Sequence, residues 1–123
     1  MLDATTSFFE ELDRRGYEPR LAKISGTVRF DLREGAQTTH WLLTIDEGRL
    51  AVSQADREAD TVIMTSPALF EELATGREHG LAAFLRGDMT ASGDVRLVVP
   101  VERLFPGPPT SQGPRRIFER EAR

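Results

Sequence analysis

The stretch from Ala59 to Asp94, ADTVIMTSPALFEELATGREHGLAAFLRGDMTASGD, constrains the fold most tightly, because starts and stops of local structure are spelled out along it at short intervals. Ser66-Pro67 is a helix start: the serine can cap free backbone N–H groups, and proline at the first helical position gives up only a donor that has no partner there. Glu71 and Glu72 follow where the helix dipole favours negative charge. Gly76 closes that helix, and Gly80 opens a second, in which Leu81, Phe84 and Leu85 at i, i+3 and i+4 share one face. Ala82 and Ala83 allow that helix to pack closely. Before the helices, Asp60–Thr65 alternates Val62 and Met64 against Thr61, Ile63 and Thr65, a strand whose inward face the pattern leaves open. After them, Asp88–Ser92 is a short strand with Met89 and Ala91 on one side, followed by the turn Gly93-Asp94. The six residues Leu69, Phe70, Leu73, Leu81, Phe84 and Leu85 exceed what two short helices need to stay in place. They form either a dense core or the wall of an apolar cavity.

The remainder of the chain supplies a sheet. Ser7 and Glu10 have capping-box spacing, which predicts a helix start at Ser7 with Phe8, Phe9 and Leu12 as its apolar stripe and Gly16 as its stop. Pro19 begins a further short turn of helix. From Gly26 the period becomes two, with Val28, Phe30 and Leu32 on one side of a strand. Arg33–Gln37 makes a turn. Thr38–Asp46 then places Trp41, Leu43 and Ile45 on one face, and Asp46-Glu47-Gly48-Arg49 connects tightly to Leu50–Gln54. In the last apolar segment Leu97, Val101, Leu104 and Phe105 have helical spacing, and Pro100 demands either a kink or a helix that begins near Val99. PGPPTSQGP from Pro106 reads as a linker, followed by a charged tail with Ile117 and Phe118.

The expected fold is α+β, a mainly antiparallel sheet of about five strands with helices on one face. Residues 1–105 would make one domain and residues 106–123 a Pro/Gly-rich linker and charged tail. A chain of 123 residues has room for one domain of this kind. A net charge of -4 argues against a general nucleic-acid binder. There is no cysteine, hence no thiolate nucleophile or thiolate metal site, which suits a reducing cytoplasm. The N-terminal MLDATTSFFEELDRRG is acidic and amphipathic, unlike a secretory leader, and no apolar run approaches the roughly 20 residues that span a bilayer. We therefore expect a cytoplasmic protein without integral membrane association. His40 and His79 have no second candidate ligand at i+2 or i+4, so neither a metal nor any other cofactor is expected. No G-x-S-x-G elbow or phosphate-cradling loop occurs, and the paired carboxylates read as solvated surface.

The strand running into ADTVIMTSP, the helix closing on Gly76, the run AFLRGDMTASGD and the later Arg103-Leu104-Phe105 together resemble the sterol carrier protein 2 domain family. Gly87, Met89, Ala91, Gly93 and Asp94 carry that family's punctuation, and the likeness runs from about Phe8 to Phe105. The resemblance implies a lipid-binding tunnel between helices and sheet. It places Trp41, Leu43, Val62, Met64, Phe70, Leu73, Phe84, Leu85, Met89, Leu97, Val101, Leu104 and Phe105 around that space. The expected function is non-catalytic binding and transfer of a lipid or other hydrophobic small molecule: a fatty acyl chain, an acyl-CoA or a sterol-like ligand. Two other functions fit the same residues. One is an accessory subunit that presents a hydrophobic intermediate to a partner enzyme, with the tail from Pro106 as docking arm or as a homodimer contact. The other is a small enzyme that uses Asp60 or Asp94 as a base inside the cavity.

Overall fold

Strands β1 (Ser25–Glu34) and β2 (Gln37–Asp46) pair antiparallel along their full length around the turn Gly35-Ala36. At the other end of β2, Glu47 and Gly48 both have positive φ, the two-residue hairpin turn whose twist suits the flanking strands. That turn leads into β3 (Arg49–Ser53). Glycine is needed at position 48, since a Cβ there would lie 2.8 Å from the Tyr17 ring and 3.0 Å from the Glu18 carbonyl oxygen. The chain then crosses to the far side of β1, where β4 (Thr61–Thr65) pairs parallel to it and β5 (Thr90–Gly93) pairs antiparallel to β4. The sheet order is β3-β2-β1-β4-β5, so three of its four pairings are antiparallel. The computed structural model describes residues 3–106.

The crossing segment, residues 54–60, passes over the sheet face opposite Val28 and Phe30. Arg29, which alternation sends to that face, donates to the Arg57 carbonyl at 2.9 Å and lies 3.5 Å from the Asp56 carboxylate. Arg29 also grips the buried Asp31 through two hydrogen bonds, and His40 Nδ1 sits 2.7 Å from the same carboxylate. Burial pushes the Asp31 carboxyl up, but Arg29 and His40 outweigh it and hold the group below its ordinary value.

Helices cover the other face: α1 (Ala4–Arg15), α2 (Pro67–Ala74), α3 (Gly80–Arg86) and α4 (Val98–Glu102). Phe9 and Leu12 of α1 and Phe70 of α2 are buried against Val28, Phe30, Trp41, Leu43 and Ile45 of the sheet. Phe9 stacks on Trp41 at 4.5 Å on one side and on Phe70 at 5.2 Å on the other, and Phe30 meets both phenylalanines edge-on. Phe105 stacks on Phe8 at 4.6 Å, which ties the C-terminal end of the described chain back to α1.

Several sequence expectations are corrected. The first helix begins at Ala4, with Asp3 as its cap accepting from the Thr6 N–H at 2.7 Å; Ser7 is an exposed helical residue, because a carboxylate one turn earlier takes the capping role. At Pro100 the second of the two expected outcomes is found, a helix that begins next to Val99 rather than a kinked one. A 3-10 turn, Val95–Leu97, is capped by Asp94, and α4 starts afresh at Val98, so the proline falls in a first turn, where no backbone donor is missed. In β4 the buried side is Thr61, Ile63 and Thr65, whereas Val62 is half-buried and Met64 is 37% exposed on the opposite face. The threonines accept burial because their hydroxyls donate to the Asp94 and Asp88 carbonyls at 2.6 and 3.0 Å, fastening both ends of β5. The proposed tail lies outside the described residues apart from Pro106.

Glu18 joins α1 to the 3-10 turn Pro19–Leu21. Its buried carboxylate accepts from the Arg20 side chain, the Arg20 backbone N–H and Arg15, all within 3.0 Å. Arg20 is the main reason its pKa falls to about 2. The stabilisation is complete above the unfolded value near 4.5 and is lost as pH falls toward 2. Glu18→Gln should therefore cost about 1–3 kcal/mol in urea unfolding at pH 7. The difference from wild type should shrink as pH is lowered through that window; a pH-independent difference would contradict this role.

Candidate ligand-binding site

The aromatic block fills the space under α1 and α2, but the sheet extends further, and under α3 and α4 the side chains do not meet. A cavity of about 350 Å³ remains. Its floor is Phe30 and Ile63 of the sheet; Phe70 and Leu73 of α2 form one wall and Leu81 and Phe84 of α3 another. Met89, just before β5, and the C-terminal segment from Val95 to Phe105 close the rest. Local structure explains the opening. α3 has only seven residues, and Ala83 is its one fully buried side chain, so the helix is held at its small face while its large side chains project over the gap. Leu81 is 56% and Val99 61% exposed, which gives the mouth an apolar rim. A wider and more open depression of about 600 Å³ between α1 and the Leu104 region has a mixed lining, with Phe8, Leu12 and Phe105 beside Glu11, Arg15, Arg20 and Arg103.

Of the thirteen residues expected around a ligand, the structure brings six to the cavity: Phe70, Leu73, Phe84, Met89, Val101 and Phe105. Leu43 is buried in the core beneath the helices, as are Leu97 and Leu104. Trp41 is stacked on Phe9 and lies beside a shallow surface recess with Val52. Val62 and Met64 lie on the far face of the sheet, and Leu85, 76% exposed, points away from the cavity. The lining residues missed are Phe30, Ile63, Gly80, Leu81, Val95, Val98, Val99 and Glu102. Ile63 was legible only as one of two alternating faces, and the more apolar face is the outer one. Val98 and Val99 were legible only as a candidate start of the last helix, not as residues facing a space.

Among the lining residues Glu102 alone is ionisable. Its Cγ lies over the backbone of Gly80, 3.3 Å from where a Cβ would stand, so glycine at the start of α3 makes room for it. His79 is the cap of α3: its Nδ1 accepts from the Leu81 N–H at 3.2 Å, and its Nε2 is 3.6 Å from Glu102 Oε1. The carboxylates considered as bases lie elsewhere. Asp60 accepts from the Thr27 N–H at 2.9 Å, and Asp94 caps the 3-10 turn, with the Arg96 side chain and backbone holding its pKa below the ordinary value. Neither lines the cavity, so the enzyme built on either as an internal base has no support in the geometry. Among the described residues no three His, Asp or Glu are grouped to hold a metal ion, and no helix is long and apolar enough to cross a membrane.

A five-stranded, mainly antiparallel sheet with helices on one face is the α+β fold expected from the sequence. The sequence profile of the SCP-2 sterol transfer family matches residues 9–106. The chain belongs to this family. It is 26% identical over 98 residues to human sterol carrier protein 2, covering 77% of this chain and 18% of that protein. It is 25% identical over 87 residues to peroxisomal multifunctional enzyme A of Dictyostelium discoideum, covering 69% of this chain and 20% of that one. The chain thus spans about a fifth of the length of these curated relatives. The solution structure of sterol carrier protein 2 from Aedes aegypti in complex with palmitate has the same fold, with a TM-score of 0.67 at 17% identity over 84% of this chain and 94% of that one.

The contrast between packed block and open space is measurable in this SCP-2 family member. Phe70→Ala should cost about 3–5 kcal/mol in urea unfolding, whereas Phe84→Ala, truncating a side chain that is more than one-third exposed at the cavity, should cost about 1 kcal/mol. Equal costs would mean that α3 is part of the packed core.

Proposed function

We propose that this chain binds and transfers a lipid or similar hydrophobic small molecule without chemically altering it, holding the apolar part in the cavity between α2, α3, α4 and the sheet. The observation that carries this reading is the lining itself: about 350 Å³ of space walled by Phe, Leu, Ile, Val and Met side chains, with Glu102 as the single charge. That volume falls in the range of about 300–1,000 Å³ typical of small-molecule sites. Family membership and the palmitate named for the Aedes aegypti relative point the same way.

Energetics favour occupancy. A sealed apolar cavity of 350 Å³ would cost about 8 kcal/mol at roughly 24 cal/mol per Å³, comparable to the whole stability of a small domain. The open mouth lowers that figure by admitting water, but water gains little from walls that offer few hydrogen-bond partners. An alkyl chain of about ten methylenes placed there would gain roughly 8 kcal/mol before ordering costs. Selectivity would come from the length of the space and from the polar groups at its mouth. A second reading rests on a separate observation: one curated relative is a multifunctional enzyme of which the matching region is 20%. As part of such an assembly the domain would present a hydrophobic intermediate to a catalytic partner, with residues 106–123 as the docking arm. Deleting that segment should then abolish the complex and leave lipid affinity intact.

The test is thermal unfolding with and without a long-chain lipid. Ligand at about 100 times Kd should add about 2.7 kcal/mol, which for a domain of this size raises Tm by on the order of 10 °C or more. Val98→Trp, which fills the space from α4, should keep the fold and remove the shift. An unchanged melting curve across saturating fatty acids, acyl-CoAs and sterols would refute the carrier function.

A further inference from the structure

We propose that Glu102 and His79 form a head-group subsite that selects lipids ending in a hydroxyl over lipids ending in a carboxylate. This rests on the cavity being the lipid site and names the class of lipid it prefers. The pair stands where the apolar lining ends. Glu102 reaches the cavity across Gly80, and the close fit of its Cγ against that backbone fixes where the carboxylate can go. His79 is fixed from the other side as the cap of α3, through Nδ1 and the Leu81 N–H.

That capping bond decides what the imidazole offers. A nitrogen that accepts from a backbone N–H carries no proton, so the proton is on Nε2, which faces Glu102 Oε1 across 3.6 Å. The gap is too long for a direct hydrogen bond. It leaves one acceptor and one donor unsatisfied by each other, side by side at the mouth of a greasy space. A hydroxyl uses both, donating to Glu102 and accepting from His79. A carboxylate head can use only the Nε2–H and brings its charge against that of Glu102; an ammonium can use only the carboxylate. A site built to bond a substrate hydroxyl discriminates strongly against analogues that leave its polar groups unpaired.

Among the described residues, the arginines near the mouth have other partners. Arg77 is paired with Glu72, and Arg86 is paired with both Glu78 and Asp88. Arg103 lines the open groove on the α1 side. Among the described residues, then, the arginines around the mouth are engaged elsewhere, and a fatty acid entering the cavity head-last would meet the Glu102 carboxylate.

The test compares dodecan-1-ol with dodecanoate at pH 8, by competition against a fluorescent lipid, on wild type, Glu102→Gln and Glu102→Ala. Wild type should bind the alcohol at least tenfold more tightly. An ionised head disfavours any apolar wall, so the deciding quantity is how the ratio changes on substitution. Glu102→Gln should strengthen dodecanoate binding at least fivefold and weaken dodecan-1-ol binding, because a neutral amide oxygen is a poorer acceptor than the carboxylate, and Glu102→Ala carries the same readout for dodecanoate should the glutamine variant fail to fold. Equal wild-type affinities, or a ratio unmoved by either variant, would overturn the head-group subsite and leave the carrier function standing. If the fluorescent lipid itself does not bind wild type, the carrier function falls and this inference with it; if it binds and neither compound displaces it, the head-group subsite alone is overturned.

Discussion

The stack of Trp41, Phe9 and Phe70, with Phe30 edge-on against it, is the contact on which the rest of the structure depends. It joins β2, α1 and α2, which are far apart in sequence, through rings 4.5 to 5.6 Å apart. Each such pair is worth about 0.5–1.5 kcal/mol beyond the area it buries. Aromatic rings are also stiff, so the block sets a fixed distance between α2 and the sheet. That distance is wide enough for flat rings on one side of Phe70. On the other side, where α3 offers Ala83 inward and leaves Phe84 at the edge, the same separation leaves a hollow. Core and cavity are thus two consequences of one spacing.

The polar interactions serve the same division. On the outer face Arg29, Asp31 and His40 fasten the segment that crosses from β3 to β4, and this crossing is what allows β4 to lie parallel beside β1 and present Ile63 to the cavity floor. Thr61 and Thr65 hold β5 by their hydroxyls, which sets Met89 at the cavity's end. Gly93 makes the corner possible: its φ is +88°, and a Cβ there would lie 2.3 Å from the Asp60 carbonyl oxygen. Few of these groups approach a ligand, but each one positions a wall.

Much of the fold was legible in the sequence because local signals agreed. Ser66-Pro67, Gly76, Gly87 and the alternation through Val28, Phe30 and Leu32 all mark what the structure contains. What failed was any inference that needed to know the surroundings of a residue. Val62 and Met64 are more apolar than Thr61 and Thr65, yet the threonines are inside, since carbonyls of a distant strand's flanks await their hydroxyls. Trp41 and Leu43 had the right periodicity for an interior face, and they are interior, but periodicity cannot separate packing against a helix from facing a void. Glu102 was invisible as a site residue because a lone glutamate late in a chain reads as surface until its neighbours Gly80 and His79 are seen beside it.

The most direct test of this division is an isotope-filtered NOE experiment on methyl-labelled protein saturated with an unlabelled long-chain lipid. The lipid chain should show contacts to methyls of Ile63, Leu73, Val98 and Val101, and none to those of Val28, Leu43 or Ile45 beneath the aromatic block. Contacts to the second set, or to neither, would contradict a site confined to the space under α3 and α4.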